Sequence, residues 1–106
     1  MKKQQRPPQI ENVIAKANEC LESSQYAESS HFKQRKNERN IDLLDAIYVL
    51  KNGYHEKQKT SFNDLHGTWN YAIRYKVEGK DVRVIIAFEE DSMLFVTVMY
   101  VTNLDR

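Results

Sequence analysis

Hydrophobic residues recur at two different periods in this chain, and the order of those periods constrains its fold more than any other feature. In the first half they follow the 3.6-residue period of a helix. Ile10, Val13, Ile14, Ala17 and Leu21 stand at i, i+3, i+4, i+7 and i+11, and Leu43, Leu44, Ile47 and Leu50 form a second stripe with Tyr48 beside it. In the second half the period drops to two. Trp69, Tyr71, Ile73, Tyr75 and Val77 alternate with Asn70, Ala72, Arg74 and Lys76; Val82, Val84, Ile86 and Phe88 alternate with Arg83, Ile85 and Ala87. A chain of 106 residues with its helices first and its strands afterwards buries its apolar faces by laying helices on one face of a meander. The expectation is an α+β fold: N-terminal helices packed on a three- to four-stranded, mainly antiparallel sheet.

Local signals place the joints. Pro7-Pro8 can open the first helix, which should fray at Ser23-Ser24, with a short extended piece at Tyr26-Ala27. Ser30 suits the N-cap of a short helix over residues 31–39, and Asn40 its stop. Asp42 and Asp45 read as a capping box for a third helix that ends at Gly53, with Leu44, Ile47 and Leu50 in the core. Residues 54–59 could be an edge strand guarded by lysines, and residues 60–68 a loop. Glu78-Gly79-Lys80 turns the chain, the strand over 82–88 is apolar on both faces and so central, Glu89-Glu90-Asp91-Ser92 turns it again, and 93–101 is a last strand.

The length suits one domain, residues 1–106, and a hydrophobic content of 41% suits a packed core. Cys20, the one cysteine, can close no intramolecular disulfide and reads as a small, semi-buried helix residue; cytoplasmic localisation is the expectation. The charged start, Met1-Lys2-Lys3, has no apolar core after it, so no signal peptide is expected. The apolar runs at 84–88 and 94–101 are far short of the ~20 residues of a membrane span. His31, His55 and His66 form no HxxxH or HxH pair, so no metal site is expected, and without GxGxxG, Walker, GxSxG or HExxH patterns no cofactor is either.

Two constellations carry chemistry. His31, Arg35 and Arg39 follow one another at i, i+4 and i+8, which sets them in a row along a helix, each about 6 Å from the next. Guanidiniums so placed repel unless an anion lies between them, and Arg offers paired donors to phosphate oxygens. Near the helix N-terminus, the positive end of the dipole favours the neutral, base-competent imidazole of His31. The second set is on the sheet: Arg74 and Lys76 share a strand face, with Arg83 on the next strand. The competing reading of both sets is structural: the helix row pairs with acids elsewhere, and Arg74 and Arg83 pair with Glu78, Asp81 or Glu89.

The run Ser30-His31-Phe32-Lys33-Gln34-Arg35-Lys36-Asn37-Glu38-Arg39-Asn40-Ile41-Asp42, followed by Val49-Leu50-Lys51-Asn52-Gly53, resembles a family of small uncharacterised bacterial domains. Their pattern is S-x-H-x-x-x-R-x-x-x-R-[GN]-I-[SD] and then a helix ending in N-G; here Ser stands directly before His. Trp69-Asn70-Tyr71-Ala72-Ile73-Arg74, Asp81-Val82-Arg83-Val84-Ile85 and Phe95-Val96-Thr97-Val98 resemble the family's three C-terminal strands. The resemblance covers residues 26–101 and leaves an extra N-terminal helix, residues 1–25, outside it.

That family is similar to the RelE/ParE/BrnT-type toxins of toxin–antitoxin systems, two helices against an antiparallel sheet. The resemblance implies a metal-independent endoribonuclease in which the RNA's own 2′-OH attacks the neighbouring phosphate. It implies His31 as base or acid, Arg35, Arg39 and Arg74 beside it at the reacting centre, Arg83 as a further phosphate ligand, and a hydroxyl from Thr97. Its partners would be RNA and an antitoxin protein. The alternative is a non-catalytic module of the same fold that docks an acidic protein.

Net charge bears on both readings. The total is only +1, yet residues 31–60 hold seven basic and four acidic groups, net +3, against 0 for residues 1–30 and −2 for residues 61–106. A near-neutral total excludes strong binding along nucleic acid through many phosphates at once, but it leaves room for one local phosphate site.

Overall fold

The computed structural model describes residues 6–102, so the charged start over 1–5 and Asp105 lie outside the described residues. Its elements are α1 (Val13–Glu22), β1 (Tyr26–Glu28), α2 (Ser30–Arg39), α3 (Leu43–Asn52), β2 (Tyr54–His55), a 3-10 turn (Lys57–Lys59), β3 (Ser61–Asn63), β4 (Thr68–Val77), β5 (Lys80–Glu89) and β6 (Ser92–Tyr100). The fold is α+β, three helices and a mostly antiparallel six-stranded sheet, in which β1-β6-β5-β4-β2 run in that order and β3 pairs with β4. The strand over 82–88 is central, as its two apolar faces require.

The sheet has more strands than alternation revealed. β4, β5 and β6 form the antiparallel meander; β1 pairs with β6 in parallel, while β2 and β3 both pair with β4. These additions are two or three residues long, too short to display a period. The expected edge strand over 54–59 is therefore only Tyr54–His55 followed by the 3-10 turn, and the expected loop over 60–68 contains β3.

The helix ends follow their side chains. Ser29, not Ser30, caps α2: its backbone is extended (φ −69°, ψ 160°) and its Oγ accepts from Phe32 N at 3.0 Å. Asn40 ends α2 in the left-handed region (φ 54°, ψ 45°). Asp42 and Asp45 form the capping box of α3 as expected. Gly53 ends α3 with φ −87°, so the left-handed conformation is not why glycine stands there. A Cβ at that position would meet the Arg74 carbonyl oxygen at 2.5 Å and the Val49 carbonyl oxygen at 2.6 Å. Glycine is required because the helix end abuts the backbone of β4.

One sheet face carries the core. Tyr71, Ile73, Val84, Ile86, Phe95 and Val98 lie there beneath Val13 and Ala17 of α1, Phe32 of α2, and Ala46, Val49 and Leu50 of α3. Leu44, expected in that core, is 74% exposed, and Ala46 and Val49 are buried in its stead. The stripe of α3 is thus rotated from the one Leu44 suggested. Cys20 is fully buried rather than semi-buried, and burial pushes its thiol pKa up. Because α1 contributes Val13, Ala17 and Cys20, the N-terminal helix shares the single core of the sheet. Among the described residues, no helix is long and apolar enough to cross a membrane.

Candidate functional site

α2 continues along β6 where β1 leaves off. Ser29 N donates to the Phe95 carbonyl at 3.0 Å and Ser29 Oγ to the Val96 carbonyl at 2.9 Å, so the start of the helix is fixed to the strand. Further along, Arg39 Nη1 donates to the Val98 carbonyl at 2.8 Å. Phe32 buries against Phe95, ring centroids 5.0 Å apart, which aims that side of α2 at the core. His31 and Arg35 flank this anchor on exposed or half-buried surface.

The row expected on α2 is present but not uniform. Arg35 Nε donates to His31 Nε2 at 3.4 Å, a bond that needs this nitrogen unprotonated. Arg35 Nη1 also pairs with Glu38 at 2.8 Å, and the hydrogen bond from Arg35 holds the Glu38 carboxyl below the usual carboxylate range. Arg39 is turned to the sheet edge. An acid therefore balances Arg35, as a structural helix face would have it, although both partners of that pair are solvent-accessible and such pairs are weakly held.

The sheet arginines are organised differently. Arg74 and Arg83 are directly opposed across β4 and β5, on the face that carries no helix. Like charges in that position repel, and Glu56, just before the 3-10 turn, lies between them. Its Oε1 accepts from Arg83 Nε at 2.7 Å, and its Oε2 from Arg83 Nη2 at 3.0 Å and from Arg74 Nη1 at 3.3 Å. Arg74 Nη2 reaches Asp81 at 3.2 Å. The Arg83 guanidinium, with Arg74 adding to it, holds the Glu56 carboxyl below its usual range. Arg83 is only 6% exposed. Asp81 was a foreseen partner; Glu56 was not, because nothing local in the sequence brings residue 56 onto that face. Thr97 stands opposite Ile85 on the same helix-free face, half-buried.

A cleft of about 670 Å³ opens between the N-terminus of α2 and the β3–β4 hairpin. Ala87 of β5 and Leu94 of β6, paired across the sheet, lie in its lining, with Val96 beside Ser29 and His31. The hairpin contributes His66, whose backbone N–H and that of Leu65 are held by Asn63 Oδ1 at 3.2 and 3.0 Å. The cleft thus brings His31 together with His66, not with Arg74 or Arg83. His66 was passed over in sequence because it has no motif partner; only the hairpin carries it to α2. His55, the other histidine, bonds Thr60 Oγ1 at 2.8 Å, and burial, with the charge of Lys57, lowers its pKa. Among the described residues, no group of three or more His, Cys, Asp or Glu has the arrangement of a metal site.

No curated protein and no solved structure matches the chain significantly. Residues 29–100 match a family model described as a domain of unknown function (DUF4258). That span runs from the Ser29 cap of α2 to the end of β6, leaving α1 outside it, and includes His31, Arg35, the Arg74–Glu56–Arg83 bridge and the whole cleft. Since it covers well over half of its length, the chain belongs to the DUF4258 family.

Proposed function

We propose that the chain is a toxin-like, metal-independent endoribonuclease of RelE/ParE-like fold, acting where α2 meets the cleft. The observation that carries this reading is the His31–Arg35 contact: an imidazole that lines the cleft and accepts from a neighbouring guanidinium through Nε2. A phosphate that takes the place of Glu38 on Arg35 lies within reach of the imidazole. His31 Nε2 then accepts the 2′-OH proton, and the oxygen attacks the adjacent phosphorus. The P–O5′ bond breaks, and the leaving oxygen takes a proton from His66 across the cleft. Arg35, with Arg39 behind it, offsets the charge that builds on the phosphorane. Thr97, paired with Ile85 and next in sequence to the lining residue Val96, is the strand hydroxyl that this reading would use. Arg74 and Arg83 stand further back, since a phosphate meets them only by displacing Glu56 from a buried, multiply bonded position.

The test is incubation of the purified protein with single-stranded RNA in EDTA. Cleavage by the wild type that falls at least about a hundredfold in His31→Ala is expected. Equal cleavage by His31→Ala overturns the role of His31, and no cleavage by the wild type overturns the activity.

A second reading, a non-catalytic module that docks a protein partner, is favoured by one observation. Leu44 and Tyr48, one turn apart on α3, are both exposed, an apolar pair on the outside of the molecule. Growth arrest on induction that His31→Ala relieves would count against it.

A further inference from the structure

The cleft is lined by side chains of three kinds, and their combination limits what fits. Leu94 is 38% exposed in the lining, with Ala87 and Val96 near it: an apolar surface that water does not favour and a flat ring can cover. Asn70 and Thr68 on β4 face the cleft with half-buried polar side chains that hydrogen-bond no other described residue. At the β5–β6 turn two acidic residues, Glu89 and Glu90, both exposed, complete the lining. A volume of about 670 Å³ is the size of a small-ligand site and admits one nucleotide, not a duplex.

Carboxylates repel a phosphate, so the phosphate belongs away from them, where His31 lines the cleft. What a carboxylate accepts is an N–H donor. Among the four RNA bases, only guanine offers two adjacent donors, N1–H and N2–H, on its Watson–Crick edge, the fork that one carboxylate receives in paired hydrogen bonds. Adenine, cytosine and uracil each set an acceptor beside the donor, and that acceptor would face the carboxylate's second oxygen.

We infer that this cleft is a guanine subsite for a single unpaired ribonucleotide, with the base over Leu94, its donor edge on Glu89 or Glu90, and its phosphate toward His31. The inference rests on the cleavage reading only in assigning the phosphate to His31, and binding can be measured without cleavage.

The experiment is titration of the full chain with guanosine, adenosine, cytidine and uridine 3′-monophosphates, following the imidazole signals of His31 and His66 by NMR. The guanosine nucleotide is expected to move both signals and to bind about tenfold more tightly than the other three. The double variant Glu89→Gln/Glu90→Gln should weaken the guanosine nucleotide and, with repulsion relieved, tighten the other three. Electrostatics alone would strengthen all four together. Equal affinity for the four nucleotides, or a gain for all four in the double variant, overturns the subsite. Shifts confined to residues outside the cleft overturn it as well. RNA cleavage without guanine preference in binding refutes the subsite alone, whereas guanine binding without RNA cleavage refutes the nuclease reading and leaves the subsite in place.

Discussion

Replacing Glu56 by Gln should unfold this protein more readily than its position beside a short turn suggests. Three hydrogen bonds from two arginines end on that carboxylate, at 2.7, 3.0 and 3.3 Å. Arg74 keeps Asp81 as a second partner, but among the described residues Arg83 has besides only the Met99 sulfur at 3.8 Å. The variant therefore takes the Glu56 carboxylate from a guanidinium that is 6% exposed and directly opposite a second one. Breaking a buried ion pair from one side costs about 3–5 kcal/mol. Taking the lower figure, with a urea slope of about 1.5 kcal/mol/M for a small domain, the unfolding midpoint should fall by about 2 M. Arg83→Met added to Glu56→Gln should restore much of the loss, because it removes the charge that Glu56 had paired. Acid should mimic the substitution. The Glu56 carboxyl titrates lower in the fold than in the unfolded chain, so its contribution is complete above the unfolded carboxylate range and is lost as pH falls through the folded value. A midpoint shift below about 0.5 M in Glu56→Gln, or no recovery in the double variant, would refute this account of the bridge.

Other consequences follow from single contacts. Gly53→Ala should cost about 1–3 kcal/mol in urea unfolding despite an ordinary φ, because its Cβ overlaps two carbonyl oxygens of backbone. Ser29→Ala removes both the cap of α2 and the bond to the Val96 carbonyl, a loss of about 1–2 kcal/mol; Ser30→Ala should be near neutral by the same measurement. Burial lowers the His55 pKa below 6.5, so the unfolded chain takes up a proton that the folded chain resists. Its contribution should be complete above about pH 6.5 and decline as pH falls through the folded value, and His55→Gln should flatten that slope in thermal unfolding followed from pH 8 to 5.

How far the fold could be read from the sequence depended on the length of each signal. β4 and β5, ten residues each, display alternation and β6 is a nine-residue β-rich run, while the Asp42–Asp45 box and Asn40 stop are local chemistry. β1, β2 and β3 are set by partners distant in sequence, so nothing within them distinguishes strand from loop. Leu44 misled because apolar character alone does not say which side of a helix meets the sheet. In the site, spacing placed Arg35 beside His31 and alternation placed Arg74 opposite Arg83, since both follow from the geometry of one element or one hairpin. Glu56 and His66 arrive from a turn and a hairpin tip, and only the folded chain sets them against Arg83 and across from His31.

The nuclease reading stands or falls on the ends of the RNA it leaves. Attack by the 2′-OH yields a 2′,3′-cyclic phosphate on one fragment and a 5′-hydroxyl on the other, formed in EDTA and abolished by a single 2′-deoxy substitution at the cleaved nucleotide. Those ends, produced by the wild type and lost in His31→Ala, are the predicted result. A 5′-phosphate, cleavage indifferent to the 2′-deoxy substitution, or RNA left intact would contradict it.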